Sequence, residues 1–280
     1  MGTFASDIVV TAVEPGRYLA NLDHSWDLVS LPQGGIVASF ALRAAAMEVG
    51  DPAMALRTST SVFAGQVSAG ELEIEVDVLR RGRSAVQLVS TVKNRGAAAG
   101  TTVICVFGAA RRGPSFTDIT APDVPGPQES RQLRDEAPED FQRYEIWPFW
   151  TRIESRFALG HAEWEDYVPE SSDVATWLRF VDAPRLADGQ LDPLALLTLA
   201  DRMPGSIGEK TGRGGPRWFA PSADLTVHLL EPLQSEWVLA HDTARWADDG
   251  WASAESRLFD EQGVLVAYAT QMMLFTYLED

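Results

Sequence analysis

An amide side chain interrupts an otherwise apolar strand pattern near the end of the chain. In "GVLVAYATQMMLF", residues 263–275, one face of the two-residue period carries Gln271 among apolar side chains. The apolar members of that face are Leu265, Ala267, Ala269, Met273 and Phe275. Burying an amide without hydrogen-bond partners costs about 1–3 kcal/mol. Gln271 therefore has structural partners or faces a site at which a polar group arrives.

Two other predicted strands carry a carboxylate and a hydroxyl. In "PSADLTVHLLEP" the alternation places Asp224, Thr226 and His228 on one face, for which solvent exposure is the alternative interpretation. Thr243 lies in "EWVLAHDTARWA", in phase with Arg245. These residue types are common on strand surfaces, so they matter only if the fold brings them to Gln271.

The elements that would position these residues occur twice. Prolines and polar residues over 111–150 predict a linker between two halves with the same order of elements. Residues 31–52 and residues 191–205 each predict a helix, the second capped by Asp192 and ended by Pro204-Gly205. The predicted strands are 56–64, 71–80, 84–94 and 97–108 in the first half, and 222–231, 236–246, 251–260 and 264–275 in the second.

An offset of 167 residues aligns the two halves and predicts a duplication. Gly96 then matches Gly263, and Gly65 matches Pro232, in corresponding turns. The same offset pairs Gln271 with Ile104, Asp224 with Arg57, and Thr243 with Val76. Because small polar groups occur only in the second half, we expect a single site there. The predicted fold is α+β, with each antiparallel sheet wrapping a long helix, in units 1–112 and 151–280 joined by a linker over 113–150.

The order of short motifs resembles the tandem hotdog acyl-CoA thioesterases. The first half carries "QGG", "FAG", "RRGRSA" and "NRG", and the second carries "ADLTVHLLEP", "DDGWASAE" and "GVLVAYATQ". The resemblance covers most of residues 20–108 and 175–275, and the final block is its most specific part. It implies a double hotdog fold. It also implies an aspartate, a threonine and a glutamine of the second hotdog that hold the attacking water.

The resemblance assigns these catalytic roles to Asp224, Gln271 and Thr243. Gap-free counting places the threonine position at Arg245, two residues after Thr243, so both remain candidates. The carboxylate would act as general base, while the amide and hydroxyl would fix the water. Such a reaction releases a carboxylic acid and coenzyme A and requires neither metal nor cofactor.

Other residues are candidates for binding the acyl-CoA substrate. Gly34 and Gly35 open the first helix, whose N–H groups could hold an oxyanion if that helix points into the second half. Asp201 recurs in similar sequences and is expected to line the pocket. The nucleotide phosphates would need a basic cluster, either Arg80, Arg81 and Arg83 or Lys210, Arg213 and Arg217.

Bulk properties exclude several classes of protein. The net charge of −17 argues against nucleic acid and anionic membrane surfaces as partners, and Cys105 is the only cysteine. No signal sequence or membrane-length apolar segment is evident, so we predict a cytoplasmic protein, and a homo-oligomer as is usual for hotdog folds. Two alternatives stay open: a non-catalytic acyl-CoA-binding protein, and a hydratase or dehydratase using Asp23-His24.

Overall fold

The computed structural model describes residues 2–139, 147–213 and 215–278. The first half contains α1 (Phe4–Asp7), β1 (Val10–Glu14), β2 (Arg17–Leu22), β3 (Asp27–Leu28), β4 (Leu31–Pro32), α2 (Gly34–Val49), β5 (Ala55–Phe63), β6 (Gly70–Arg81), β7 (Ala85–Asn94) and β8 (Thr101–Gly108). The second half contains α3 (Leu133–Glu136), β9 (Ile153–Leu159), β10 (Asp173–Phe180), α4 (Ala195–Ala200), α5 (Pro204–Thr211), β11 (Trp218–Phe219), β12 (Ser222–Leu229), β13 (Val238–Asp248), β14 (Trp251–Phe259), β15 (Leu265–Leu274) and β16 (Thr276–Tyr277). Short 3₁₀ turns span His24–Trp26 and Pro148–Thr151.

Twelve of these strands form one antiparallel sheet whose order is the same outward from its centre in both directions. The order is β1-β2-β6-β7-β8-β5-β12-β15-β14-β13-β10-β9. The two halves meet where β5 pairs with β12, so the sheet is continuous across the repeat boundary. The helices pack on one face, called here the inner face; the opposite face is the outer face. This is the predicted α+β double hotdog, and it confirms the fold class.

The strand register corrects the offset between the repeats. Ser59 pairs with Cys105 in the first half, and Leu225 pairs with Gln271 in the second. The second pair follows the first by 166 residues at both positions, so 167 is wrong by one. A one-residue slip moves every side chain of a strand to the other face. The counterpart of Gln271 is therefore Cys105 and not Ile104. By the same offset Asp224 and Thr243 correspond to Thr58 and Asp77.

The helix of the second half is broken where a continuous one was predicted. Asp192 accepts a hydrogen bond from the backbone of Leu194 at 3.0 Å, and α4 ends at Ala200. Pro204 does not end the helical path but begins α5, because the first residue of a helix needs no N–H donor. Asp201 lies in the break, with φ −82° and ψ 61°. Among the described residues no helix is both long and apolar enough to span a bilayer.

The main hydrophobic core lies on the inner face and is shared by both halves. It joins α2 residues such as Phe40 with α4 residues such as Leu197 and with inner strand positions of both repeats. A smaller cluster on the outer face of the second repeat includes Trp177 and Phe259, and linker residues near Ile119 cover it. The described part of the predicted linker thus packs along the sheet; residues 140–146 lie outside the described residues.

Candidate active site

Gln271 projects from the inner face of β15 and is only 2% exposed. Its amide nitrogen donates to Oδ1 of Asp201 at 2.6 Å and to Oγ of Ser222. Its Oε1 is buried without a hydrogen-bond partner among the described residues. The amide is therefore held on its nitrogen side and presents an acceptor on the other.

Asp201 reaches this cluster because the break between α4 and α5 turns its side chain toward the N-terminus of α2. Its Oδ2 accepts the backbone N–H of Gly35 at 2.9 Å, and its Oδ1 accepts the hydroxyl of Ser222 at 3.3 Å. Burial raises the pKa of Asp201, and the hydrogen bonds from Gly35, Gln271 and Ser222 only partly oppose this rise. A carboxylate with a raised pKa accepts a proton more readily than an exposed one.

Ser222 reaches the inner face through a β-bulge. Ser222 pairs with Met273 and Asp224 pairs with Met272, so Ala223 is the extra residue. Without the bulge, Ser222 would share the outer face with Asp224, because the two are two residues apart. The bulge instead turns the hydroxyl of Ser222 toward Gln271 and Asp201.

The first repeat contributes the start of α2 to the same cluster. Gln33 caps this helix, with its Oε1 accepting from the backbone of Ile36 at 3.1 Å. Its amide nitrogen donates to the carbonyls of Thr198 and Asp201, at 3.0 and 3.1 Å. One buried side chain thus ties the N-terminus of α2 to the C-terminus of α4.

Two glycines allow this close approach. A Cβ on Gly34 would lie 2.8 Å from Oδ2 of Asp201, and one on Gly35 would lie 2.5 Å from the carbonyl oxygen of Leu197. Both distances are too short for a side chain. The expected meeting of the first helix with the second repeat is therefore observed, with Gly35 N–H bound to a carboxylate.

Carboxylate, hydroxyl, amide and a helix N-terminus converge on one point between the two repeats. The raised pKa suits Asp201 to take a proton, and the free Oε1 of Gln271 suits it to orient a water molecule. Such an arrangement can activate water against an electrophilic carbonyl.

Comparisons with known proteins agree with this geometry. The description "Acyl-CoA thioesterase N-terminal domain" matches residues 22–108, and "Acyl-CoA thioesterase C-terminal domain" matches residues 123–275. The chain belongs to the acyl-CoA thioesterase family. The resemblance seen in the sequence is thereby confirmed, and the chemistry of this enzyme is thioester hydrolysis. No curated protein matches the chain.

Solved structures show the same fold at low sequence identity. A hot dog fold protein from Alicyclobacillus acidocaldarius is 22% identical with a TM-score of 0.81, covering 99% of this chain and 98% of its own. An acyl-CoA thioesterase II, TesB2, from Mycobacterium marinum is 20% identical with a TM-score of 0.73, covering 99% of both chains. A tesB protein from Mycobacterium avium subsp. paratuberculosis is 17% identical with a TM-score of 0.74, covering 98% of both chains.

Asp224 does not lie with Gln271 in this thioesterase. It is on the outer face of β12, since its neighbour Leu225 is the residue that faces the core and pairs with Gln271. Its Oδ1 accepts the backbone N–H of Met272 at 2.7 Å. The carboxylate thus satisfies a backbone donor beside the bulge.

Thr243 and Arg245 also lie away from Gln271, on the outer face of the thioesterase. Thr243 donates to Oδ1 of Asp173 at 2.8 Å, in register with the β10 pairing, and accepts from Arg257. Arg245 is exposed and pairs through two nitrogens with Glu255. The expectation that Asp224, Gln271 and one of these two residues share one water therefore does not match the geometry.

The first basic cluster lies at the other end of α2. Arg81 donates to the carbonyls of Glu48 and Val49, the last residues of that helix, at 2.8 and 2.9 Å. Because α2 has 16 residues, this end is roughly 24 Å from Gly34. The structure does not bring Arg80, Arg81 and Arg83 to the Asp201 cluster. Lys210, Arg213 and Arg217 follow α5 instead, the helix that begins three residues after Asp201.

The Asp23-His24 pair has local partners. Asp23 caps the 3₁₀ turn by accepting from the backbone of Ser25 at 2.7 Å. The exposed His24 ring contacts Asp27 at 2.7 Å, and that carboxylate raises the pKa of His24. Neither side chain contacts the Asp201 cluster.

Sequence reasoning missed two residues of the cluster, Ser222 and Gln33. Gln33 could have been found, because a polar residue directly before Gly34-Gly35 and an apolar run is typical of a helix N-cap. Ser222 was hidden, because strand periodicity alone assigns it to the face of Asp224.

Proposed function

We propose that this enzyme hydrolyses acyl-CoA thioesters with a water molecule held by Asp201, Ser222 and Gln271. In this assignment Asp201 replaces Asp224 as the general base, and Ser222 replaces Thr243 as the hydroxyl ligand. Gln271 keeps the role that the resemblance implied. The observation that carries the proposal is the set of hydrogen bonds joining Asp201, Ser222 and Gln271 beside the start of α2.

The reaction follows from the protonation states of these groups. Ionised Asp201 takes a proton from the water while the water oxygen attacks the thioester carbonyl. The free Oε1 of Gln271 accepts the other water hydrogen and fixes the direction of attack. The tetrahedral intermediate then expels the coenzyme A thiolate, which receives the proton from Asp201. The products are a carboxylic acid and free coenzyme A.

The start of α2 stabilises charge at this centre. The N–H of Gly35 already holds Oδ2 of Asp201, and the helix dipole adds a partial positive charge. These groups keep the carboxylate ionised enough to act as a base despite its burial. They also favour the negative charge that develops on the carbonyl oxygen beside it.

Substitutions separate this assignment from the one based on the sequence. We expect Asp201→Asn and Gln271→Ala to lower kcat by at least about 100-fold on acyl-CoA substrates. Asp224→Asn keeps an acceptor for the Met272 N–H, and Thr243→Val keeps the shape of the side chain, so both should stay within about threefold. Release of free thiol from short, medium, long and aromatic acyl-CoAs measures the rates.

Each other outcome has a definite meaning. If Asp224→Asn and Thr243→Val abolish turnover while Asp201→Asn does not, the outer-face set is catalytic and the proposal is wrong. If the wild type binds acyl-CoA but releases no thiol from any substrate, the proposed activity itself fails. The best substrate in the panel identifies the acyl class.

We also propose that the enzyme acts in the cytoplasm as a homo-oligomer. The lone buried Cys105 supports a reducing compartment, since its pKa is raised to about 12 and disulfide formation is disfavoured. Light scattering coupled to size-exclusion chromatography tests the assembly, and a mass of 30.6 kDa would contradict it.

A further inference from the structure

A buried arginine beside the proposed base has no role in the reaction described above. Arg202 directly follows Asp201 in the break between α4 and α5. Its Nη1 is buried and has no hydrogen-bond partner among the described residues. Burial lowers the pKa of Arg202, which expresses the free-energy cost of holding a guanidinium there. An unpaired buried cation of this kind calls for a ligand.

Two further polar groups lie on the sheet below Arg202. Asp242 and Ser256 are paired residues of β13 and β14, and they are 3% and 0% exposed. Arg202 is near enough to favour the charged form of Asp242 electrostatically, although burial raises its pKa. Oδ1 of Asp242 and Oγ of Ser256 nevertheless have no partner within 3.5 Å among the described residues.

A fourth polar group comes from the segment after the linker. The guanidinium carbon of Arg202 lies 5.4 Å from the ring centre of Trp150, within cation–π range. Nε1 of Trp150 is also buried without a partner among the described residues. Buried indole N–H groups usually find an acceptor. Two donors and two hydroxyl or carboxylate oxygens thus surround Arg202.

The first repeat shows what the same positions do when they are only structural. The counterparts of Asp242 and Ala240 are Val76 and Ile74, which fill the core with apolar volume. The counterpart of Ser256 is Ser90, whose hydroxyl donates to the carbonyl of Ala41 in the unbroken α2 at 2.9 Å. The polar set is therefore specific to the repeat that carries the proposed active site.

We propose that Arg202, Trp150, Asp242 and Ser256 bind a hydroxyl group on the acyl chain of the substrate. This inference rests on the proposed function and assigns its substrate class, hydroxyacyl-CoA. A hydroxyl accepts from Arg202 and Trp150 and donates to Asp242, so it satisfies both kinds of group. A carboxylate would add a second negative charge beside Asp242, and an unsubstituted chain would leave all four groups unpaired.

The test compares matched substrates that differ by one hydroxyl. Acyl-CoAs of one chain length carry the hydroxyl at successive carbons, and kcat/KM is measured for each and for the unsubstituted chain. We expect the wild type to prefer one hydroxyl position at least tenfold. Trp150→Phe, which removes only the N–H and keeps the ring, and Arg202→Met should each reduce that preference at least fivefold. A wild type without preference, or variants that slow both substrates equally, would overturn the proposal.

Two further measurements keep the result interpretable. Arg95→Met removes an exposed arginine that pairs with Glu71 and Glu73, and it should leave rates and preference unchanged. Calorimetric binding of the same substrates to Asp201→Asn measures the preference as a ratio of Kd values without turnover. If no thioester is hydrolysed yet this ratio persists and falls with Trp150→Phe, the binding subsite stands while the proposed activity fails. A ratio of one would reject the subsite in either case.

Discussion

At the scale of single residues, the raised pKa of Asp201 determines how the enzyme depends on pH. Burial destabilises the charged carboxylate, so its pKa in the fold lies above the ordinary value of 3.8. The base is active only when ionised. Activity is therefore expected to fall as the pH decreases through this raised pKa.

A pH–rate profile tests this directly. The acid limb of kcat/KM should have its midpoint above 3.8, and Ser222→Ala should shift it upward further, because Ser222 stabilises the ionised form. Asp224→Asn should leave the limb in place. A profile that stays flat down to pH 4 would show that Asp201 is not the base.

At the scale of elements, the contact between α2 and α4 holds the site together. Gly35→Ala would place a methyl group 2.5 Å from the carbonyl oxygen of Leu197, which is backbone and cannot rotate away. We expect a loss of about 1–3 kcal/mol in the free energy of unfolding, as for other overpacked positions. Because Gly35 N–H also holds Asp201, kcat should fall as well.

Urea denaturation and kcat of Gly35→Ala measure the two effects. Gly113→Ala is the matched control, since a Cβ there meets nothing within 4 Å and the glycine has no positive φ. An alanine at position 35 that changed neither quantity would show that the two helices are not in contact as described.

The bulge in β12 is the second element on which the site depends. Deleting Ala223 would restore regular pairing and turn Ser222 to the outer face. We expect the deletion to lower kcat at least as much as Ser222→Ala does, while the sheet still forms. The measurement is thiol release alongside far-ultraviolet circular dichroism, and retention of full activity would mean that the hydroxyl is not required.

At the scale of the whole molecule, the two repeats are parts of one structure. The sheet is continuous through the β5–β12 pair, and the main core spans both halves. The cluster around Asp201 also needs Gly35 from the first repeat. We therefore expect both repeats to unfold in a single cooperative transition.

Hydrogen exchange measured by mass spectrometry can follow the two repeats separately. Peptides from β7 and β14, which occupy equivalent places in the sheet, should lose protection at the same urea concentration. Loss of activity should coincide with both. Two separate midpoints would show that the repeats behave as independent domains.

The sequence alone predicted the eight core strands of the two repeats, the long first helix and the family, because these depend on local periodicity and short motifs. It also singled out Gln271, since a polar residue on an apolar face is visible without a structure.

Only the tertiary structure decided which residues stand beside Gln271. A one-residue bulge reverses the face of Ser222 relative to Asp224, and strand periodicity cannot reveal such an insertion. A helix break turns Asp201, 70 residues before Gln271, into hydrogen-bonding distance of it. Local pattern carries the elements, whereas the site depends on where that pattern is interrupted and on which interruptions meet in space.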